Sequence, residues 1–269
     1  MSVPRFCAGL LLILFSHESA DARPRRARSF RSSASGFRNR LHVNPIITQE
    51  GTFEAEWAAV LTPGGTYSGP TTLKYTPEGD DFYFGSTEFS AAFDSFASVV
   101  DDGNRVTQWS DHLTFTALTQ LSDKITGPHL SIAVGPQVTT ILRGESGARI
   151  GAAAIARYTR GLSSGGVTCS WNGATASSDA NPAGVFDLGV GFGRQLAKSG
   201  FLNNLTLHAN GLMEKSTGVQ RTMSVFEGME YQITNRLSVD VSGQHIHVSG
   251  GVRDTQIQVG LTLNFGRLF

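Results

Sequence analysis

The chain closes on Ile257-Gln258-Val259-Gly260-Leu261-Thr262-Leu263-Asn264-Phe265-Gly266-Arg267-Leu268-Phe269. Ile257, Val259, Leu261, Leu263 and Phe265 alternate with Gln258, Gly260, Thr262 and Asn264, and Gln256 extends the polar set by one residue. A period of two places the two sets on opposite faces of a strand, one apolar and one polar. Such a strand needs an apolar environment on one side and a polar one on the other.

Working outward, the same alternation recurs along the chain. Candidate strands are Thr52 to Leu61, Thr71 to Thr76, Ser86 to Asp94, Asp111 to Leu121, Pro128 to Ile141, Ala148 to Tyr158, Gly184 to Leu196, Asn204 to Met213, Val219 to Gln232, Leu237 to His247 and the terminal strand. That makes eleven, an odd number, whereas bacterial single-chain membrane barrels have an even number. Counting back from the terminal strand puts the turn at Thr234, Asn235 and Arg236 on the periplasmic side. Counting forward puts the turns at Pro77 to Gly79 and Ser122 to Lys124 on that side too. The two counts conflict between Gly161 and Ala183, and Gly166 to Asn172, where Val167, Cys169 and Trp171 alternate with Thr168 and Ser170, supplies the twelfth strand. The expected fold is all-β, an antiparallel up-and-down transmembrane barrel of 12 strands. The longer connections, Ser95 to Ser110, Leu142 to Gly147, Gly173 to Ala183, Glu214 to Gly218 and Val248 to Asp254, then all face outward. A secreted β-sandwich, which also alternates its strands, is the competing architecture.

Composition supports export and strands. The 31 Gly and 16% charged residues favour many strands joined by turns. A mean hydropathy of −0.09 is far below that of a helical membrane protein. A barrel scores low because half of each strand is polar. Arg5, the apolar run Phe6 to Phe15, and the small-x-small site Ala20-Asp21-Ala22 read as a signal peptide over residues 1–22. Ten apolar residues are too few for a spanning helix. Cys7 opens the apolar run, so it does not read as a lipoprotein cysteine, and Cys169 has no partner for an internal disulfide in the processed chain.

Residues 23–41 form a separate basic tail. Seven arginines (23, 25, 26, 28, 31, 38 and 40) stand there among Ser, Ala and Gly without one acidic residue, a disordered composition. Setting aside Arg5 and those seven from 22 bases leaves 14, and setting aside Glu18 and Asp21 from 22 acids leaves 20, so residues 41–269 carry about −6. A basic arm suits nucleic acid, but no recognition fold accompanies it; a periplasmic tail attracted to anionic headgroups or cell-wall polymers is the plainer reading. The barrel itself occupies residues 42–269.

The terminal strand, ending on Phe269, resembles the closing strand of bacterial outer-membrane barrels. Phe269, Phe265, Leu263 and Leu261 are then its membrane-assembly signal, and the barrel-assembly machinery and outer-membrane lipid are its implied partners. Arg267 departs from that signature. Asn44-Pro45, Gly51-Thr52-Phe53-Glu54-Ala55-Glu56, the turns Ser122-Asp123-Lys124-Ile125 and Thr234-Asn235-Arg236-Leu237, and the end Gly260 to Phe265 together resemble the MetA-pathway of phenol degradation family over roughly residues 43–269. The resemblance implies an outer-membrane transporter for small solutes of hydrophobic or aromatic character. It supplies no catalytic residue, cofactor or metal.

On the polar faces, Glu54, Glu56, Glu88, Asp187 and Asp240 are acidic, Lys74, Arg149 and Arg157 basic, and His208 titratable near neutrality. These are the candidate solute-path residues: in a lumen they select solutes by charge, or they pair and fill the interior. In the second case the barrel is structural or adhesive and does not transport. His245 and His247 share a strand face as half of a zinc site would, but no third ligand accompanies them. His247-Val248-Ser249-Gly250 is similar to the His-x-Ser-Asn-Gly motif of outer-membrane phospholipase A but lacks its Asn, and a histidine needs an orienting third group to activate serine. Gly189, Gly191 and Gly193 lack the nucleotide-binding spacing and read as room for strand bending. Glu227 falls on the apolar face with Met223, Val225, Met229 and Tyr231; a bulge that shifts the register, or contact with a partner, would account for it.

Overall fold

The computed structural model describes residues 47–62, 67–78, 84–101, 104–108, 112–121, 126–142, 147–176, 183–216, 221–249 and 252–267. The signal peptide, the basic tail, the turn at Ser122 to Lys124 and Phe269 lie outside them. Among the described residues there are thirteen strands: β1 (Thr52–Leu61), β2 (Tyr67–Tyr75), β3 (Phe84–Asp101), β4 (Asn104–Gln108), β5 (His112–Leu121), β6 (Leu130–Ile141), β7 (Ala148–Arg160), β8 (Ser163–Ala174), β9 (Gly184–Gln195), β10 (Leu205–Ser216), β11 (Thr222–Thr234), β12 (Leu237–Val248) and β13 (Val252–Arg267). Twelve close into one antiparallel ring. β4 stands apart, pairing only with the far end of β3 through Ala97↔Gln108 to Asp101↔Asn104.

Closure is made by β13 lying against β1, with Leu61↔Ile257, Trp57↔Leu261 and Ala55↔Leu263 in register. β2 in turn pairs with β1 and β3, so the ring has no free edge. The expected hidden strand exists as β8, and it starts three residues before the alternating segment read from sequence.

The barrel is inside out relative to a soluble protein. Along β1, Thr52, Glu54, Glu56, Ala58 and Val60 are buried, while Trp57 and Leu61 are exposed. In β13, Ile257, Val259, Leu261 and Phe265 are exposed and Gln256, Gln258 and Thr262 are buried. An exposed apolar wall around a buried polar interior is unstable in water and stable in lipid. Near the end that carries the start of β1 and the end of β13, aromatic side chains pair on the outer surface: Phe53 with Phe265 at 5.5 Å between ring centres, and Phe201 with Tyr231 at 5.2 Å. They form part of the interfacial girdle such barrels carry. This is the turn end; it holds the two-residue turns at Gly161 and Asn235 and, by the rule for outer-membrane barrels, faces the periplasm. Gly161 has φ 62°, a left-handed conformation open to glycine without strain.

One expectation fails. β11 pairs residue by residue with β10 across its whole contact and with β12 as far as Gln232, where the first register shift falls. No bulge turns Glu227 inward, because both neighbouring ladders hold its register. The side chain stays on the outer face.

Val190 lies in the middle of β9, 56% exposed on the outer wall. Val190→Arg should lower the unfolding free energy by roughly 2–4 kcal/mol in a bilayer, the cost of a base near the midplane. Denaturant titration of vesicle-folded protein would measure it.

Candidate functional site

The lumen wall near the turn end is built from charge. Glu54 and Lys74 face each other across β1 and β2, and Lys74 Nζ donates to Glu54 Oε1 at 3.0 Å and also to Glu56 Oε1. One ammonium thus holds two carboxylates, all three side chains at least nine-tenths buried. Glu230 and Asp240 are directly opposed on β11 and β12, and Glu230 also lies within electrostatic reach of Glu54 and Glu56. Glu88, on β3, completes this acidic arc.

Across the barrel stands a basic strand. In the ring, β7 is six places from β13, hence on the opposite wall, and it carries Arg149 and Arg157 on its inner face. Arg157, Glu54, Lys74, Glu88 and Glu230 border one cavity of about 470 Å³ that opens toward the turn end. A transverse field therefore crosses the lumen at the turn end, from Arg157 to the arc of β11, β12, β1 and β3. Toward the other end lies a second polar group. Asp187 Oδ2 accepts from Ser170 Oγ at 3.0 Å and sits within electrostatic reach of Glu214 and Arg149.

Glycine on the inner face makes room for these side chains. A Cβ at Gly260 would lie 1.9 Å from Asp240 Oδ2, so the carboxylate rests over bare backbone. Gly151 stands between Gln137 and Asn172 in the ladders. Asn172 Nδ2 donates over it to Gln137 Oε1 at 2.8 Å, and Gln137 passes the chain on to Thr116. His208 is likewise seated over Gly228. Gly189, Gly191 and Gly193 are all buried on the inner face of β9, consistent with the same spacing role.

All nine sequence candidates, Glu54, Glu56, Lys74, Glu88, Arg149, Arg157, Asp187, His208 and Asp240, face the interior. They do not form one cluster: Arg149 and Asp187 lie apart from the group at the turn end. His245 and His247 point outward. Leu261, Leu263 and Phe265 are on the lipid face.

Two elements escaped the sequence reading. Glu230 was hidden in a strand whose alternation looks untidy, although the outward placing of Met229 and Tyr231 implies its inward one. The segment before β1 was also missed. Ile47 is buried in a cluster with Leu118, Ala133, Ala153 and Ile155 from β5, β6 and β7, so the chain crosses the lumen before β1 begins. The Thr48 amide donates to Glu88 Oε2 at 2.7 Å, and the Thr48 and Thr76 hydroxyls are 2.7 Å apart. No periodicity marks a four-residue crossing of this kind.

The sequence matches no protein-family model and no curated protein. In structure the chain is similar to an outer membrane channel from Pseudomonas putida F1, with a TM-score of 0.59 at 10% identity, covering 83% of this chain and 100% of that one. It is also similar to the NanC porin, with a TM-score of 0.52 at 8% identity, covering 78% of this chain and 98% of that one. At such identity the likeness concerns the fold, which is that of porin-like outer-membrane barrels, and it agrees with the inverted polarity of the wall.

Lys74→Met should strand two buried carboxylates and cost roughly 3 kcal/mol, the scale for breaking a buried pair from one side. Adding Glu54→Gln and Glu56→Gln to it should recover most of that loss in the same denaturant titration.

Proposed function

We propose that the barrel is a channel for the passage of small polar solutes across the outer membrane, with a preference for cations. One observation carries this reading. Both amide atoms of Asn210, the Ser242 hydroxyl, Glu230 Oε2 and Arg157 Nε are buried on the lumen side with no hydrogen-bond partner among the described residues. Buried polar groups are satisfied by protein or by ordered water. An interior whose side chains paired only among themselves would leave no such row, so the wall is built to be wetted.

The preference follows from the count of charges. Glu54, Glu56, Glu88, Asp187, Glu230 and Asp240 outnumber Lys74, Arg149 and Arg157, and rings or arcs of carboxylate favour cations in narrow pores. The crossing field would orient a dipolar solute as it passes. Hydrophobic or aromatic solutes, implied by the family resemblance, would find apolar footing at Ile47 and at inward side chains such as Val60, Phe226 and Ile246, set in a wall that is mostly polar. Ile47 and Thr48 narrow the turn end, which makes the channel a tight one.

The rival reading is a structural or adhesive barrel with a filled interior. Planar-bilayer recording separates the two, because a filled barrel passes no current. Wild-type protein should show discrete conductance steps whose reversal potential in a salt gradient has the sign of a cation preference. Glu230→Gln with Asp240→Asn should move that potential toward zero. Ile47→Gly with Thr48→Ala should raise the step size, since it removes both the apolar anchor and the hydroxyl contact. Absence of any conductance in folded wild-type protein would overturn the channel.

A further inference from the structure

Glu227 is a polar group on the outer wall that the channel does not use. It is the sixth of the thirteen residues of β11, near the middle of the barrel's height. It shares the outward face with Met223 and Met229, and Val241, Ile257 and Leu207 lie exposed around it. Lipid does not solvate a carboxylate at that depth. The ladders on both sides hold it there without a shift.

Its surroundings form a shallow depression. Directly opposite Glu227 are Ala209 on β10 and Gly243 on β12, and a Cβ added at Gly243 or at the nearby Gly211 would meet nothing within 4 Å. From this floor rise two polar side chains. His245 Nε2 stands 3.9 Å from Glu227 Oε1, while its Nδ1 lies 3.3 Å from the Thr255 hydroxyl. The two side chains remain 61% and 58% exposed, so this pairing leaves both of them largely uncovered.

We infer that this face, with Glu227 and His245 rising from the floor of Ala209, Gly211 and Gly243, is where a second copy of the chain docks within the membrane. A second copy carries the complementary groups: across a two-fold axis along the membrane normal, a histidine donor is offered to each carboxylate and a carboxylate to each histidine. Such a self-complementary patch is what an isologous dimer requires. The small residues let two walls approach closely, as small residues do at joints between membrane segments. Lipid is the poorer occupant, because acyl chains at that depth offer Glu227 no donor. The inference does not depend on whether the lumen conducts.

Subunit counting by single-molecule photobleaching, with the full chain labelled and diluted in lipid vesicles, tests it. Wild-type protein should bleach in two steps at dilutions where Gly243→Phe bleaches in one. The phenylalanine enters open space in the monomer, so its fold should survive, and heat-dependent migration on a detergent gel checks that it has. Glu227→Leu, which makes the face compatible with lipid, should independently weaken the dimer by about tenfold or more. One-step bleaching of wild-type protein at every dilution overturns the proposal, and so does a dimer undiminished in both folded variants.

Discussion

Backbone hydrogen bonding in a medium without water is the constraint on which the rest of this structure depends. Every strand amide and carbonyl within the hydrocarbon must find a partner on a neighbouring strand, which forbids a free edge. The pairing of β1 with β13 meets that demand. Once the ring is closed, alternation does the rest, since each strand presents one face to lipid and one to the lumen. The apolar wall of Trp57, Val190, Ile257 and Phe265 and the buried interior of Glu54, Gln258 and Asp240 are two readings of one backbone geometry.

A narrow ring that turns polar side chains inward must then house them. Lys74 neutralises Glu54 and Glu56 at close range, while glycines supply space under Asp240 and between Gln137 and Asn172. Packing of this kind holds the side chains in place without consuming all of their hydrogen-bonding capacity. What is left over gives the lumen its chemistry: an acidic arc on one side, Arg157 of β7 on the other, and amides and hydroxyls that have no partner among the described residues. The chain segment at Ile47 and Thr48 adds an apolar contact across the interior.

Much of this architecture was legible in the residues. Strand faces followed from period-two alternation, and strand number from the need for even parity, which exposed β8 around Cys169. The inward direction of Glu54, Lys74, Arg149 and Asp187 followed from the same alternation. Alternation says nothing, however, about which inward residues share a level or an arc. Arg157 and Glu230 border one cavity although 73 residues separate them, because ring closure, a long-range property, sets their distance. Ile47 was invisible for a related reason: its burial depends on Leu118, Ala133 and Ile155, which three different strands contribute. Glu227 shows the opposite failure. Its sequence position correctly put it on the apolar face; of the two accounts open there, a bulge or contact with a partner, the unbroken ladders remove the bulge.

By itself the sequence determined the class of fold, the number of spanning strands and, wherever the alternation is regular, the side of the wall to which a side chain belongs, because those depend on local periodicity and on counting. The tertiary structure decided the rest: the opposition of β7 to the acidic arc, the seating of polar side chains over glycine, the crossing at Ile47 and the unbroken register that leaves Glu227 facing out. Each of these is a distance between residues remote in the chain. Such distances exist only after the ring has closed.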